Sequence, residues 1–175
     1  MQKIKLSQIR QLTLSCLFVA LGIIIPFFIH IPGVNFGQMF LPMHIPVILC
    51  SFICGYKFGG LCGLLTPLLS SIFTGMPPMP TVAVPMMFEL LTYGLIAALL
   101  YKKFNVYISL IGAMVGGRIV AAIATLIVYG LNGKPFLFPV FLTTTFVTAI
   151  PGIIIQIILI PIIIIIFQKM IKSRN

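Results

Sequence analysis

Residues 81–131 read TVAVPMMFELLTYGLIAALLYKKFNVYISLIGAMVGGRIVAAIATLIVYGL, two long apolar runs parted by Lys102 and Lys103. A helix rises about 1.5 Å per residue, so about 20 apolar residues cross the hydrocarbon core of a bilayer. Each run is long enough, and the pair predicts two membrane-spanning helices joined by a short basic turn. Each run also carries one charge: Glu89, the only acidic residue of the chain, and Arg118. Charges at bilayer depth are costly and mark function, which points to a membrane protein that handles a polar solute.

The rest of the chain agrees with this hairpin. Of 175 residues, 61% are hydrophobic and 7% charged, with a mean hydropathy of +1.25. That leaves too little polar surface to coat a soluble globule. The formal charge of +10 does not read as nucleic-acid binding, because the basic residues flank apolar runs singly or in small clusters, without aromatic interleaving. Six apolar candidates occur, at about 11–30, 39–56, 58–75, 81–101, 105–131 and 137–167. The expectation is an all-α membrane protein, a compact six-helix bundle forming one domain over residues 1–175.

Six spans place both termini on one side. Lys3, Lys5, Arg10, Lys57, Lys102, Lys103, Lys169, Lys172 and Arg174 fall on that side, and Lys134 alone falls opposite. The positive-inside rule then makes both termini cytoplasmic. The run after Arg10 is longer than the apolar region of a signal peptide and lacks a small-residue cleavage pattern, so it reads as a first helix.

The second and third candidates are short and meet at GYKFGG, residues 55–60, which predicts a tight hairpin or a partly re-entrant pair. Two outer segments are rich in breakers, IPGVNFGQ (31–38) and GMPPMPT (75–81), and specify shaped loops. Pro26, Pro67, Pro85, Pro151 and Pro161 lie inside expected spans, where each frees a carbonyl and bends its helix. Cys16, Cys50, Cys54 and Cys62 lack the paired spacing and nearby histidines of a zinc site, and read as apolar packing. No metal is expected.

Small residues four apart let helix backbones approach closely in lipid. Gly55, Gly59 and Gly63 form one such set, and Ala113, Gly117 and Ala121 another; internal packing is the simpler reading of both. Cys16 and Ala20 form a third near the end of the first helix, where a face is more easily left uncovered for a partner.

The polar residues concentrate at one depth. Glu89 lies roughly 12 Å and His44 roughly 8 Å below the outer surface, and Arg118 can extend outward to meet them. Asn35 and Gln38 on the outer loop, with Thr143, Thr144 and Thr145, lie in the same half. An outward-facing pocket is one reading. A purely structural Glu89–Arg118 ion pair is another, as is a His44 that caps backbone at a helix start. Gln156 lies deeper and is expected to bond backbone freed by Pro151 or Pro161.

One acid and two histidines support no catalytic dyad, and no metalloprotease, nucleophile-elbow or phosphate-loop motif occurs. Any energy for transport then comes from an ion gradient or another subunit. The chain resembles the substrate-binding S component of energy-coupling factor (ECF) transporters, which import vitamins and related micronutrients. The resemblance rests on FLPMHIPVILCSFICGYKFGGLCGLLTPLLSS (40–71), PPMPTVAVPMMFELLTYGLIAALLY (77–101) and IPGIIIQIILIP (150–161), in that order.

The resemblance implies a non-enzymatic binding subunit in the bacterial cell membrane. Its partners would be a transmembrane coupling protein and two cytoplasmic ATPases; ATP is used there, and this chain binds no cofactor. It also implies a docking pair at AxxxA spacing on the first helix, matched here by Cys16 and Ala20. Substrate would sit in the outer half, with Asn35, Gln38, His44, Glu89 and Arg118 as polar contacts and Phe88 and Tyr93 as apolar walls. An Arg118 free to fork onto a carboxylate suits a ligand such as pantothenate, whereas an Arg118 neutralised by Glu89 suits an uncharged or larger one such as riboflavin or a cobalamin-type compound. The alternatives are a stand-alone proton-coupled carrier working through Glu89, and a structural membrane subunit with no ligand.

Overall fold

The computed structural model describes residues 7–29, 36–133 and 135–172, and every regular element among them is helical. In chain order these are α1 (Gln8–Ile29), α2 (Phe36–Phe40), α3 (His44–Cys54), α4 (Tyr56–Thr74), α5 (Ala83–Leu100), α6 (Val106–Leu131), α7 (Phe138–Leu142), a π-helical turn (Thr143–Val147) and α8 (Ile150–Lys172). Five of the helices, α1, α4, α5, α6 and α8, are long and apolar enough to cross a membrane.

The second expected span is built differently from the single helix read at 39–56. It is divided into five-residue α2 and 11-residue α3. The cause is Pro42, which has no N–H to donate and disfavours helical geometry at the residue before it. Leu41 accordingly turns left-handed at φ 49°. Pro46 falls in the first turn of α3, where a missing donor is tolerated.

Gly55 alone links α3 to α4, at φ 89°, a conformation that favours glycine, and its N–H donates to the Ser51 carbonyl. This is the tight hairpin expected from GYKFGG. From that shared turn α3 rises about 16 Å and α4 about 28 Å, so the start of α3 lies about 12 Å short of α4's far end. Ten of the eleven α3 residues are buried. A helix apolar all round belongs at the centre of a bundle, and α3 packs against α1, α4, α5 and α8.

Close backbone approach holds α4, α5 and α6 in a row. A Cβ on Gly63 would collide with the Leu90 carbonyl, and one on Gly94 with the Gly59 carbonyl, so α4 and α5 touch backbone to backbone. On α6, Ala113, Gly117 and Ala121 are all buried. Without a hydrophobic drive between helices in lipid, such small-residue seams supply the packing. Asn105 starts α6 by accepting a hydrogen bond from the Ile108 N–H at 2.9 Å.

The sixth expected span, 137–167, is likewise interrupted, by the π turn before Pro151. Pro151 has no N–H for the preceding turn, and the helix widens there: Thr148 N–H reaches the Thr143 carbonyl, five residues back, at 2.9 Å. The Thr143 and Thr144 hydroxyls donate to the Pro139 and Val140 carbonyls at 2.8 and 2.9 Å. Those threonines therefore serve their own backbone. Thr145 is the buried one of the three.

Candidate functional site

Three helices bring three ionisable side chains together. Glu89 lies about 9 Å along α5 from its start, His44 opens α3, and Arg118 lies near the middle of α6. Arg118 Nη1 is 2.9 Å from Glu89 Oε1, and His44 Nε2 is 3.6 Å from the same oxygen. His44, Glu89 and Arg118 are 1%, 7% and 8% exposed, so their interactions are little screened by solvent. Tyr93, one turn along α5 from Glu89, is buried beside them, its ring edge-on to His44 with centroids 5.3 Å apart.

The helix spacing that permits this is set by Gly117. A Cβ there would lie 3.2 Å from the Glu89 carbonyl oxygen and 3.2 Å from the Tyr93 ring. The small residue beside Arg118 thus lets α6 close onto the turn of α5 that carries Glu89 and Tyr93.

The cluster retains hydrogen-bonding capacity. His44 Nδ1 and Nε2, Glu89 Oε1 and Arg118 Nη2 have no hydrogen-bond partner among the described residues. The 2.9 Å approach of Arg118 to Glu89 is an ion-pair contact without an N–H aimed along it. His44 does not cap its helix: the N-cap residue is Met43 with no side-chain cap, and the His44 N–H donates to the Leu41 carbonyl at 3.0 Å. Burying polar atoms without partners is expensive. The ion pair engages Arg118 Nη1 and Glu89 Oε1, with His44 Nε2 at 3.6 Å from the same oxygen, and leaves Arg118 Nη2 and His44 Nδ1 without a partner among the described residues.

The other expected contacts divide. Phe88 is 45% exposed, on the outward stripe of α5 that also carries Leu99, so it does not wall the cluster. Leu91 and Leu95 face α4 beside that stripe, and Ile96 and Leu100 face α6 on its other side. Asn35 lies outside the described residues; Gln38 lies on α2, with its side chain outside them. The second breaker loop is fixed to α4, where the Ser70 hydroxyl donates to the Met76 carbonyl at 2.7 Å.

Gln156 departs from its expected part. It is fully buried, and neither its amide nitrogen nor its amide oxygen has a partner among the described residues, so it does not bond backbone freed by the prolines. On α1, Cys16 is exposed and Ala20 partly so, while neighbouring Ser15 is buried and accepts from Cys50 Sγ at 3.4 Å. The Cys16 side of α1 is therefore turned away from α3.

A family model described as ECF transporter, substrate-specific component, matches residues 10–164. Comparison with curated proteins and with solved structures gave no match.

Proposed function

Because the chain belongs to the substrate-specific component family of ECF transporters, a family of membrane transport subunits and not of enzymes, we propose that it captures an uncharged vitamin-type micronutrient from outside the cell. Release inward would be driven by a transmembrane coupling protein and two ATPases that work with it. The observation that carries this reading is the buried His44–Glu89–Arg118 cluster, neutral as a pair of charges yet left with unpaired donors and acceptors.

The ion pair bears on the ligand's charge. An Arg118 already neutralised by Glu89 offers little to a free carboxylate, and a carboxylate brought near would confront Glu89. Riboflavin-like or other uncharged polar ligands suit the cluster better than pantothenate. Tyr93 and His44 place two aromatic rings beside the ion pair, the side of the cluster where a ligand ring would pack.

Orientation follows from charge. At one end of the bundle Lys102 Nζ lies 4.6 Å from the centre of the Tyr56 ring, next to Lys57 and Lys103. We assign that end, with both termini, to the cytoplasm of a bacterial cell membrane. His44 then opens α3 toward the outside.

Native mass spectrometry of the detergent-purified chain, followed by thermal shift against water-soluble vitamins, tests the reading. A ligand at 100 times its dissociation constant stabilises by about 2.7 kcal/mol. A retained vitamin mass or such a shift is the expected result; neither appearing across the vitamin panel would count against a binding subunit.

A further inference from the structure

The fully buried amide of Gln156 lies one turn beyond a contact between α8 and the chain that leads into α3. Gly152, one turn earlier on α8, packs on the chain just before α3: a Cβ there would lie 2.8 Å from the Met39 and Phe40 carbonyl oxygens. The far ends of the two helices also correspond. Gln168 donates to the Tyr101 hydroxyl, and the Tyr101 ring lies edge-on to Phe52 near the end of α3, centroids 4.9 Å apart.

So α3 and α8 run in the same direction, with Gly152 level with Phe40. Gln156 is one helical turn on from Gly152, and His44 opens α3 after the turn at residues 41–43 that follows Phe40. Both polar side chains therefore lie just beyond the Gly152–Phe40 contact, and α8 packs on both α3 and α6, the helices of His44 and Arg118. Gly152, Gln156, Ile160 and Ile164 form one buried stripe at four-residue spacing, and the last two join the core that contains Val47 and Cys50. Gln156 is thus the one amide on a stripe that otherwise packs as glycine and isoleucine.

We propose that Gln156 is a further ligand-binding residue of the His44–Glu89–Arg118 site, and that its amide meets a ligand edge carrying a donor beside an acceptor, as a lactam, imide or cyclic urea does. The inference rests on the binding function proposed above. A primary amide supplies an acceptor and donors side by side. Its unpaired atoms join Arg118 Nη2, a donor, and His44, whose neutral ring offers one donor and one acceptor. Such a set fits a neutral heterocycle edge better than an anion, which would use the donors and leave the acceptors opposed.

The test compares wild type with Q156L in detergent, using riboflavin (an imide edge), biotin (a cyclic urea) and pantothenate (an open-chain amide and a carboxylate) as probes. Melting temperature is read without and with each probe, and affinity by titration. The wild type is expected to bind a cyclic-edge probe. Q156L is expected to melt higher than wild type without probe, since the buried unpaired amide is gone, yet to bind that probe at least tenfold more weakly. Q156M, the closest apolar shape, repeats the comparison if Q156L does not accumulate.

Equal affinity of wild type and variant for a cyclic probe overturns the role of Gln156 and leaves the binding function standing. So does a wild type that binds pantothenate and neither cyclic probe. A wild type that retains no ligand mass and shifts with no member of the vitamin panel overturns both.

Discussion

Arg118 Nη1 and Glu89 Oε1 face each other at 2.9 Å across the α5–α6 seam, both residues more than nine-tenths buried. Removing one partner leaves the other as an uncompensated buried charge, which costs about 3–5 kcal/mol, whereas replacing both with apolar residues of similar size is often near neutral. Glu89→Leu and Arg118→Met are each expected to lower the melting temperature strongly, and the double variant to recover much of the loss. A thermal double-mutant cycle measures this. Additive losses in the double variant would show that the two charges are not coupled.

Gly63 and Gly130 give a matched contrast within helices. A Cβ on Gly63 would run into the Leu90 backbone carbonyl, which no rotamer can relieve, and one on Gly130 would meet nothing within 4 Å. Gly63→Ala is expected to destabilise by about 1–3 kcal/mol or more, as overpacking does. Gly130→Ala is expected to be neutral or to stabilise by about 0.4–1 kcal/mol, through lower backbone entropy in the unfolded chain. Chemical denaturation in mild detergent distinguishes the two, and equal effects would contradict the α4–α5 contact.

How much of this was legible beforehand depends on whether the signal is local. Apolar length located α1, α4, α5 and α6 within a few residues, and a lone acid and a lone arginine inside such runs marked Glu89 and Arg118. Pro42 and Pro151 were visible too, but their effect was not. A proline can bend a span or end a helix, and only packing decided that α3 begins anew after Leu41 and that a π turn precedes α8. The outward Phe88 was missed because adjacent helix residues point about 100° apart, and which face meets α4 and α6 is set by glycines on those helices. Gln156 was missed because its level relative to His44 depends on how α8 registers against α3, which no local spacing records. The signal available was Gly152 one turn before it.

Cys16 is exposed on α1, whereas Cys50, Cys54 and Cys62 are buried at 0%, 4% and 1%. A membrane-permeant maleimide applied to the folded protein in detergent is therefore expected to add one label, and to add four after denaturation. Intact mass gives the count, and Cys16→Ser should remove the native label. Rapid native labelling of two or more cysteines would mean that α3 and α4 do not pack as described.

Ala20 shares the outward side of α1 with Cys16, one turn away, and is only partly exposed. If this face docks the coupling protein, a small residue is needed there for helix backbones to meet. Ala20→Leu is then expected to abolish co-purification with the coupling protein while leaving ligand affinity unchanged, because the cluster at His44, Glu89 and Arg118 is carried by other helices. Pull-down from cells that co-express the partners, with ligand titration on the isolated variant, reads the two effects separately. A retained complex would move the docking surface to another face, and a joint loss of complex and ligand would mean that the substitution had disturbed the bundle itself.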